Sequence, residues 1–310
     1  MGLQRTLSHI LEQHHAVIVI PAYNEERFIG SIVLMAQQVS QHVIVVDDGS
    51  TDQTAEIARL AGARVERHPT NLGKGAALNT GLSLARLEKP DVVVMLDADG
   101  QHSPAEISQI ASPVLAGQAD IVIGSRYLAG SSQTPRHRIW GHWMFNWLTK
   151  VASGVSTSDS QSGFRAFSPR AMEVIAFQSA GFSVESEMQF LIQQHKLRLV
   201  EVPVNIKYVD KPKRNVLSHG MLVLNGLLRL IGQYRPLVFF GVPGAIILLA
   251  GIGWGWYVVE IYRRVQQLAV GYAMVSVLLA IIGSLLLATG IILHSVRGML
   301  LDIGEQIRKR

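Results

Sequence analysis

Four short apolar runs punctuate the first 125 residues, and each stops at a polar cluster. Ala16–Ile20 ends at Pro21, and Val43–Val46 ends at Asp47-Asp48-Gly49-Ser50. Asp91–Leu96 ends at Asp97-Ala98-Asp99-Gly100, and Asp120–Ile123 ends at Gly124-Ser125-Arg126. None alternates apolar with polar positions, which is the pattern of strands buried on both faces. Between them the apolar spacing is helical, over residues 26–38, 53–61, 74–87 and 104–115. Alternating strand and helix predict an α/β fold, a mostly parallel sheet covered by helices. Ligands of such sheets bind beyond the carboxyl ends of the strands, where these polar clusters fall.

A second pattern begins at Pro236. Pro236–Val259 has no charged residue over 24 positions, and Val265–Val296 has none over 32. As a helix, 24 residues are about 36 Å long, enough for a ~30 Å hydrocarbon core. Glu260, Tyr262, Arg263 and Arg264 read as a short polar connector, so the block predicts a two-span membrane hairpin. Just before it, Ser218, His219, Asn225, Arg229 and Gln233 share a stripe of an otherwise apolar segment. That pattern over 216–233 predicts an amphipathic helix in the membrane interface. The expected organisation is a catalytic domain over 1–212, a juxtamembrane helix over 213–235, the hairpin over 236–296 and a basic tail over 297–310.

Composition sharpens the division. Charged residues are 16% of the chain and hydrophobic ones 48%, against roughly 25% charged in soluble domains. The deficit lies in the hairpin, which excludes intrinsic disorder, a fibrous repeat and a wholly soluble enzyme. The absence of cysteine excludes a disulfide framework and Cys-ligated zinc or iron–sulfur sites. The net charge of +5 is unevenly spread: −4 through His195, then +6 from Lys196 to Arg235. The body therefore offers no basic face for nucleic acid. Arginines and lysines on both sides of the hairpin place both termini and the body in the cytoplasm. The N-terminal segment lacks the apolar stretch of a signal peptide.

The clusters carry candidate chemistry. Asp97 and Asp99, two residues apart at a strand end, can approach one Mg²⁺ or Mn²⁺, with Gln101 and His102 able to complete the shell. Ser103-Pro104 already starts the next helix, so the aspartates are not needed as caps. After Val46, one of Ser50, Thr51 and Asp52 can cap a helix, leaving Asp47 and Asp48 to accept hydrogen bonds from a base or ribose. Pro21-Ala22-Tyr23-Asn24-Glu25 offers an aromatic face and a carboxylate. Asn71-Leu72-Gly73-Lys74-Gly75 opens a helix suited to phosphate or close backbone approach, without P-loop spacing.

PAYNEE at 21–26, VVDDGSTD at 45–52, NLGKGAALNTG at 71–81, DADGQH at 97–102 and GSRY at 124–127 together resemble family-2 glycosyltransferases of the GT-A fold. The resemblance continues through Asp159–Arg165, Glu185-Ser186-Glu187 and Glu201-Val202-Pro203. With the C-terminal hairpin, the chain is similar to the polyprenyl-phosphate type, the dolichyl-phosphate mannose or glucose synthases. It departs from that type after Pro203. An Arg-x-x-Gly-x-Ser-Lys-like loop is replaced by Tyr208-Val-Asp-Lys-Pro-Lys-Arg214.

The resemblance implies inverting transfer of a sugar from a UDP- or GDP-sugar to a polyprenyl phosphate, with Mg²⁺ or Mn²⁺ as cofactor. It implies metal ligation by Asp97, Asp99 and Gln101. Pro21, Tyr23, Glu25, Asp47, Asp48, Lys74 and Ala98 would bind the donor beside the aspartates. Arg126 would meet the acceptor phosphate and act with Asp97 and Asp99 in catalysis. Arg138, Lys211, Lys213 and Arg214 are further candidates for that phosphate. The membrane is a partner, nucleic acid is not, and self-association is left open. Two other readings share these features. A processive polysaccharide synthase would carry a Gln-x-x-Arg-Trp motif, which is absent. A catalytically inactive nucleotide-sugar-binding partner would not need the Asp97/Asp99 pair.

Overall fold

The computed structural model describes residues 13–128, 153–177, 184–206, 234–267 and 269–308, with a few single positions between them. The chain divides into two compact units, 1–227 and 228–310.

The first unit is built on a seven-stranded sheet. Its strands are β1 (Ala16–Ala22), β2 (His42–Asp47), β3 (Arg64–Arg67), β4 (Val92–Met95), β5 (Ile121–Ser125), β6 (Arg165–Phe167) and β7 (Leu199–Pro203). Their order is β3-β2-β1-β4-β6-β5-β7. All neighbours are parallel except β6, which runs antiparallel between β4 and β5. The chain winds outward from β1 to β3, then returns to place β4 on the other side of β1. That reversal opens a crevice between the carboxyl ends of β1 and β4.

The continuous apolar strands are buried on both faces, as their sequence predicts. Ile18, Ile20, Val43, Val45, Val92 and Val94 pack on one side against α1 (Ile29–Gln37), α2 (Thr54–Leu60) and α4 (Ile107–Leu115). Val17, Val19, Ile44, Val46, Val93 and Met95 pack on the other against α3 (Lys74–Leu87), α5 (Pro169–Val174) and α6 (Val184–Gln194). The two-residue period of a strand sends alternate side chains to opposite layers. Helix α3 begins and ends where its periodicity places it. Helix α2 starts at Thr54, whose N–H donates to Asp52 Oδ1 at 3.0 Å in the turn before it. Residues 104–106 form a 3₁₀ turn before α4.

The second unit contains two long apolar helices. Leu237–Val265, a π-helical turn leading into α7 (Val242–Val265), and Val270–Leu300, within α8 (Val270–Arg308), are each long and apolar enough to cross a membrane. The connector falls later than expected. Glu260, Arg263 and Arg264 lie in the last turns of α7, where Arg264 pairs with Glu260 at 3.0 Å. This i,i+4 pair and the basic residues at a helix carboxyl end favour continued helix. The turn comes instead at Gln266, whose left-handed φ of 56° ends α7. Glycines let the helices meet backbone to backbone. A Cβ on Gly283 would stand 2.4 Å from Leu248 N, and one on Gly244 2.5 Å from Leu287 N. Small residues replace hydrophobic driving force in such contacts. The expected interfacial helix over 216–233 falls almost wholly outside the described residues, as do Arg138, Lys211, Lys213 and Arg214.

Candidate active site

The carboxyl ends of β1, β2, β4 and β5 bring Pro21–Glu25, Asp47–Ser50, Asp97–Gln101 and Ser125–Arg126 to one edge of the sheet. The first of these turns is held to the second. Asn24, at a left-handed φ of 54°, donates its N–H to Ser50 Oγ at 2.9 Å, and its Oδ1 accepts from Thr51 N at 2.9 Å. Glu25 N donates to Thr54 Oγ1 at 2.8 Å, and Tyr23 is left 44% exposed above the crevice.

Asp47 and Asp48 are engaged within the protein. Asp47 is fully buried. Its Oδ1 accepts from the Ser50 hydroxyl, and its Oδ2 lies 3.1 Å from Arg67 Nε. Asp48 accepts from Leu72 N at 2.9 Å and Gly73 N at 2.8 Å, and lies 2.7 Å from His68 Nδ1. A buried carboxylate requires such donors, and here they are the amide groups of the glycine-rich loop. Those amides therefore serve Asp48, and the loop is fixed against the end of β2. Gly49 has φ +72°, and a Cβ there would stand 2.5 Å from the Thr70 carbonyl carbon. The tight approach of the two loops requires glycine.

Lys74, the first residue of α3, reaches across the crevice. Its Nζ is 2.7 Å from Asp97 Oδ1 and 2.7 Å from Glu185 Oε1 on α6. Burial would lower the Lys74 pKa, but the two carboxylates outweigh it and raise it. Burial would raise Asp97, yet Lys74, with His102 and Arg165, holds it below the ordinary carboxylate value. Asp99 behaves oppositely. Burial and the charge of Asp97 push it up to about 6, with a further contribution from Glu25. Its Oδ1 accepts only the local Gln101 N–H among the described hydrogen bonds, at 3.0 Å. Two carboxylates whose environments drive their pKa values apart mark a functional site. His102 is 6% exposed, packs its ring tilted against Phe164 with centroids 5.2 Å apart, and is lowered to about 4 by burial, so it is neutral at pH 7.

Arg126 is a buried ion pair rather than a surface cation. Its Nε donates to Asp159 Oδ2 at 2.6 Å, and its backbone N–H donates to the same oxygen at 3.2 Å. Asp159 sits on a turn anchored by Glu201 of β7, which accepts from Thr157 Oγ1 at 2.6 Å and Ser158 N at 2.9 Å. This explains why the Asp159 and Glu201 segments accompany the strand-end motifs. It orients the guanidinium at the end of β5.

Two residues of the site were given no catalytic role from the sequence. Glu185 is the second anchor of Lys74, and only the acidic pair 185/187 hinted at it. Gly163 faces Asp97 because β6 is antiparallel: Arg165 pairs with Met95, so the residues before Arg165 meet those after Met95. A Cβ on Gly163 would stand 2.0 Å from Asp97 Oδ2.

The arrangement has counterparts. Among solved structures, glucosyl-3-phosphoglycerate synthase from Mycobacterium tuberculosis, in complex with Mg²⁺ and UDP, superposes with a TM-score of 0.58 at 22% identity. It covers 74% of this chain and 83% of its own. This establishes the shared GT-A fold. An uncharacterized protein of Methanocaldococcus jannaschii is 36% identical over 75% of this chain and 98% of its own length. The UDP-N-acetylglucosamine–dolichyl-phosphate N-acetylglucosaminyltransferase of Methanococcus voltae is 32% identical over 62% of this chain and 86% of its own. The polyprenol monophosphomannose synthase of Mycolicibacterium smegmatis is 34% identical over 61% and 76%. Residues 17–176, from β1 through α5 and including both aspartates and Gly163, match the model of Glycosyl transferase family 2, and the chain belongs to that family.

Proposed function

We propose that this glycosyltransferase moves one sugar from a nucleotide-diphosphate donor to a polyprenyl phosphate at the cytoplasmic face of a membrane. The observation that carries the reading is the presence, in one chain, of the Asp97/Asp99 crevice and of two helices apolar enough to span a bilayer. Relatives named for dolichyl-phosphate and polyprenol-phosphate transfer support the acceptor class. A polyprenyl tail leaves the bilayer only at high cost, since each buried CH₂ is worth about 0.8 kcal/mol. An enzyme held at the surface meets such a substrate where it resides.

The donor set at the crevice is all oxygen, with one carboxylate pushed up to about 6 by burial and by the neighbouring charge of Asp97. That fits a hard divalent cation, Mg²⁺ or Mn²⁺. Asp99, Asp97 and Gln101 would hold it, and it would neutralise charge on the departing diphosphate. Lys74 keeps Asp97 ionised and fixed. Tyr23 and Glu25 border the space for the nucleoside, while Asp47 and Asp48 shape its floor by holding the 49–52 and 71–73 loops. The acceptor is a phosphate monoester with a second pKa near 6, so it is a dianion at neutral pH and needs no protein base. One of its oxygens attacks the anomeric carbon as the bond to the diphosphate breaks. The nucleoside diphosphate departs, and the anomeric configuration inverts. Arg126, oriented by Asp159, would position phosphate, with Arg138, Lys211, Lys213 and Arg214 as further cationic candidates.

The test is incubation of membranes containing the protein with labelled UDP- and GDP-sugars and polyprenyl phosphate, followed by lipid extraction. Label should enter the organic phase with one nucleotide class, only when Mg²⁺ or Mn²⁺ is present. Label confined to the aqueous phase with every donor would refute the acceptor assignment.

A further inference from the structure

At the opposite end of the sheet from the acidic crevice, three side chains from separate elements converge. His15 immediately precedes β1, His42 opens β2, and Glu88 caps the carboxyl end of α3. One ligand atom from each lies within 4.8 Å of the others. His42 Nδ1 is 2.9 Å from Glu88 Oε2, and His15 Nε2 is 3.8 Å from the same oxygen. The two imidazoles meet edge to face with centroids 4.4 Å apart. The His15 Nε2 atom is buried and has no hydrogen-bond partner, although a third of that side chain reaches solvent. A nitrogen shut from water and without a hydrogen bond needs an explanation.

The backbone around the cluster is held in place. His15 N donates to Asp91 Oδ2 at 2.9 Å, and Asp91 N returns a bond to the His15 carbonyl at 2.8 Å. His42 N donates to Ser40 Oγ at 3.1 Å, and Ser40 Oγ donates to the Ala16 carbonyl at 2.5 Å. Arg64 Nη1 lies 3.4 Å from Glu88 Oε1, the oxygen turned away from the imidazoles, which leaves Oε2 toward them. The backbone of both histidines and one edge of the carboxylate are therefore fixed before any ion arrives.

We infer that His15, His42 and Glu88 form a site for a borderline divalent transition ion, Zn²⁺ foremost, with water completing the coordination. Two imidazoles and one carboxylate are a zinc-type donor set, whereas Mg²⁺ and Mn²⁺ prefer oxygen donors alone. Binding through His42 Nδ1 sends the proton between it and Glu88 Oε2 to His42 Nε2 or to solvent, and gives His15 Nε2 a partner. The ion would clip the entrance of β1, the start of β2 and the end of α3. It would be structural, because the level of His15 and that of Asp97 are about 20 Å apart along the strands, at ~3.3 Å per residue.

The experiment uses full-length, untagged protein in detergent, stripped with EDTA and supplied with excess Mg²⁺ to occupy the acidic crevice. Zn²⁺ at about 100 times its Kd should raise the melting temperature by several degrees. The His15→Asn/His42→Asn double variant should lose that rise, and Glu88→Gln should weaken Zn²⁺ affinity at least tenfold. Independently of any variant, Zn²⁺ should protect His15 and His42 of the wild-type protein from carbethoxylation by diethylpyrocarbonate, read peptide by peptide. A melting temperature indifferent to Zn²⁺, an undiminished rise in the double variant, or equal modification of the two histidines with and without Zn²⁺ would each overturn the site.

Discussion

Replacing Gly163 by alanine tests how tightly the crevice is set. The added methyl would stand 2.0 Å from Asp97 Oδ2, 2.5 Å from Cγ and 2.7 Å from Oδ1. Non-bonded contact requires about 3.5 Å, so one partner must retreat by roughly 1.5 Å. The backbone of β6 is the less yielding of the two. It is paired on both sides, Arg165 with Met95 and with Ile123, and the Arg165 side chain is buried and bonded to the Ser160 and Ser162 carbonyls. The Asp97 side chain is 24% exposed toward the crevice and is the part that moves. Its 2.7 Å bond to Lys74 breaks, and the carboxylate leaves the place proposed for meeting the donor. A displacement near 1 Å costs about 10² in rate, so kcat/KM for transfer of labelled sugar to lipid phosphate should fall by about 100-fold or more. The melting temperature in detergent should change by only a few degrees, since no core atom is lost. Transfer within threefold of wild type would refute the claim that Asp97 must occupy this position.

Three further outcomes follow from other contacts. Lys74→Met leaves Asp97 and Glu185 facing each other without their cation. Because Lys74 is about a fifth exposed, the cost should be about 2–4 kcal/mol in stability, measured by thermal or denaturant unfolding, together with loss of transfer; an unchanged melting curve would contradict the pairing. Asp120, bonded to Arg198 N at 2.8 Å and Arg198 Nη2 at 3.0 Å, is held below the ordinary 3.8 chiefly by those Arg198 hydrogen bonds. A depressed carboxyl stabilises the fold fully above that ordinary value, and the contribution is lost as pH falls through the lower folded value. Asp120→Asn should therefore destabilise by about 1–2 kcal/mol at pH 7, and its difference from wild type should shrink in acid; a constant difference down to pH 2 would sink this reading. In the second unit, Gly283→Leu would drive a side chain into the Leu248 backbone, so hairpin packing and melting temperature in detergent should drop, whereas Gly253→Leu, with nothing within 4 Å, should leave both unchanged.

Much of the scaffold was legible because its strands are long apolar runs and its turns carry distinctive residues. β3 was not, because Arg64-Val65-Glu66-Arg67 is an edge strand with charged, largely exposed side chains. β6 was not, because it has three residues and a buried arginine, a polar residue whose partners only the folded chain supplies. The hairpin was legible as hydropathy, but its turn was misplaced because charged residues can continue a helix when they pair along it. At the site, spacing identified the strand-end carboxylates but could not say which of them face inward. Asp47 and Asp48 look like ligand-binding groups in the sequence, and their engagement with Ser50, Arg67, His68 and the 72–73 amides appears only in three dimensions. The same holds for Lys74, whose partners lie 23 and 111 residues onward, and for Gly163, placed by an antiparallel register that periodicity does not encode.

The central claim is that a sugar alone is transferred to a lipid monophosphate. It is tested most directly by mass spectrometry of the lipid product, with the released nucleotide quantified, for wild type and Asp99→Asn. The expected product is a polyprenyl lipid carrying one phosphate and one sugar, with released nucleoside diphosphate in equal amount and at least a 100-fold loss of both in the folded variant. A product carrying two phosphates, release of nucleoside monophosphate, or undiminished transfer by Asp99→Asn would contradict it.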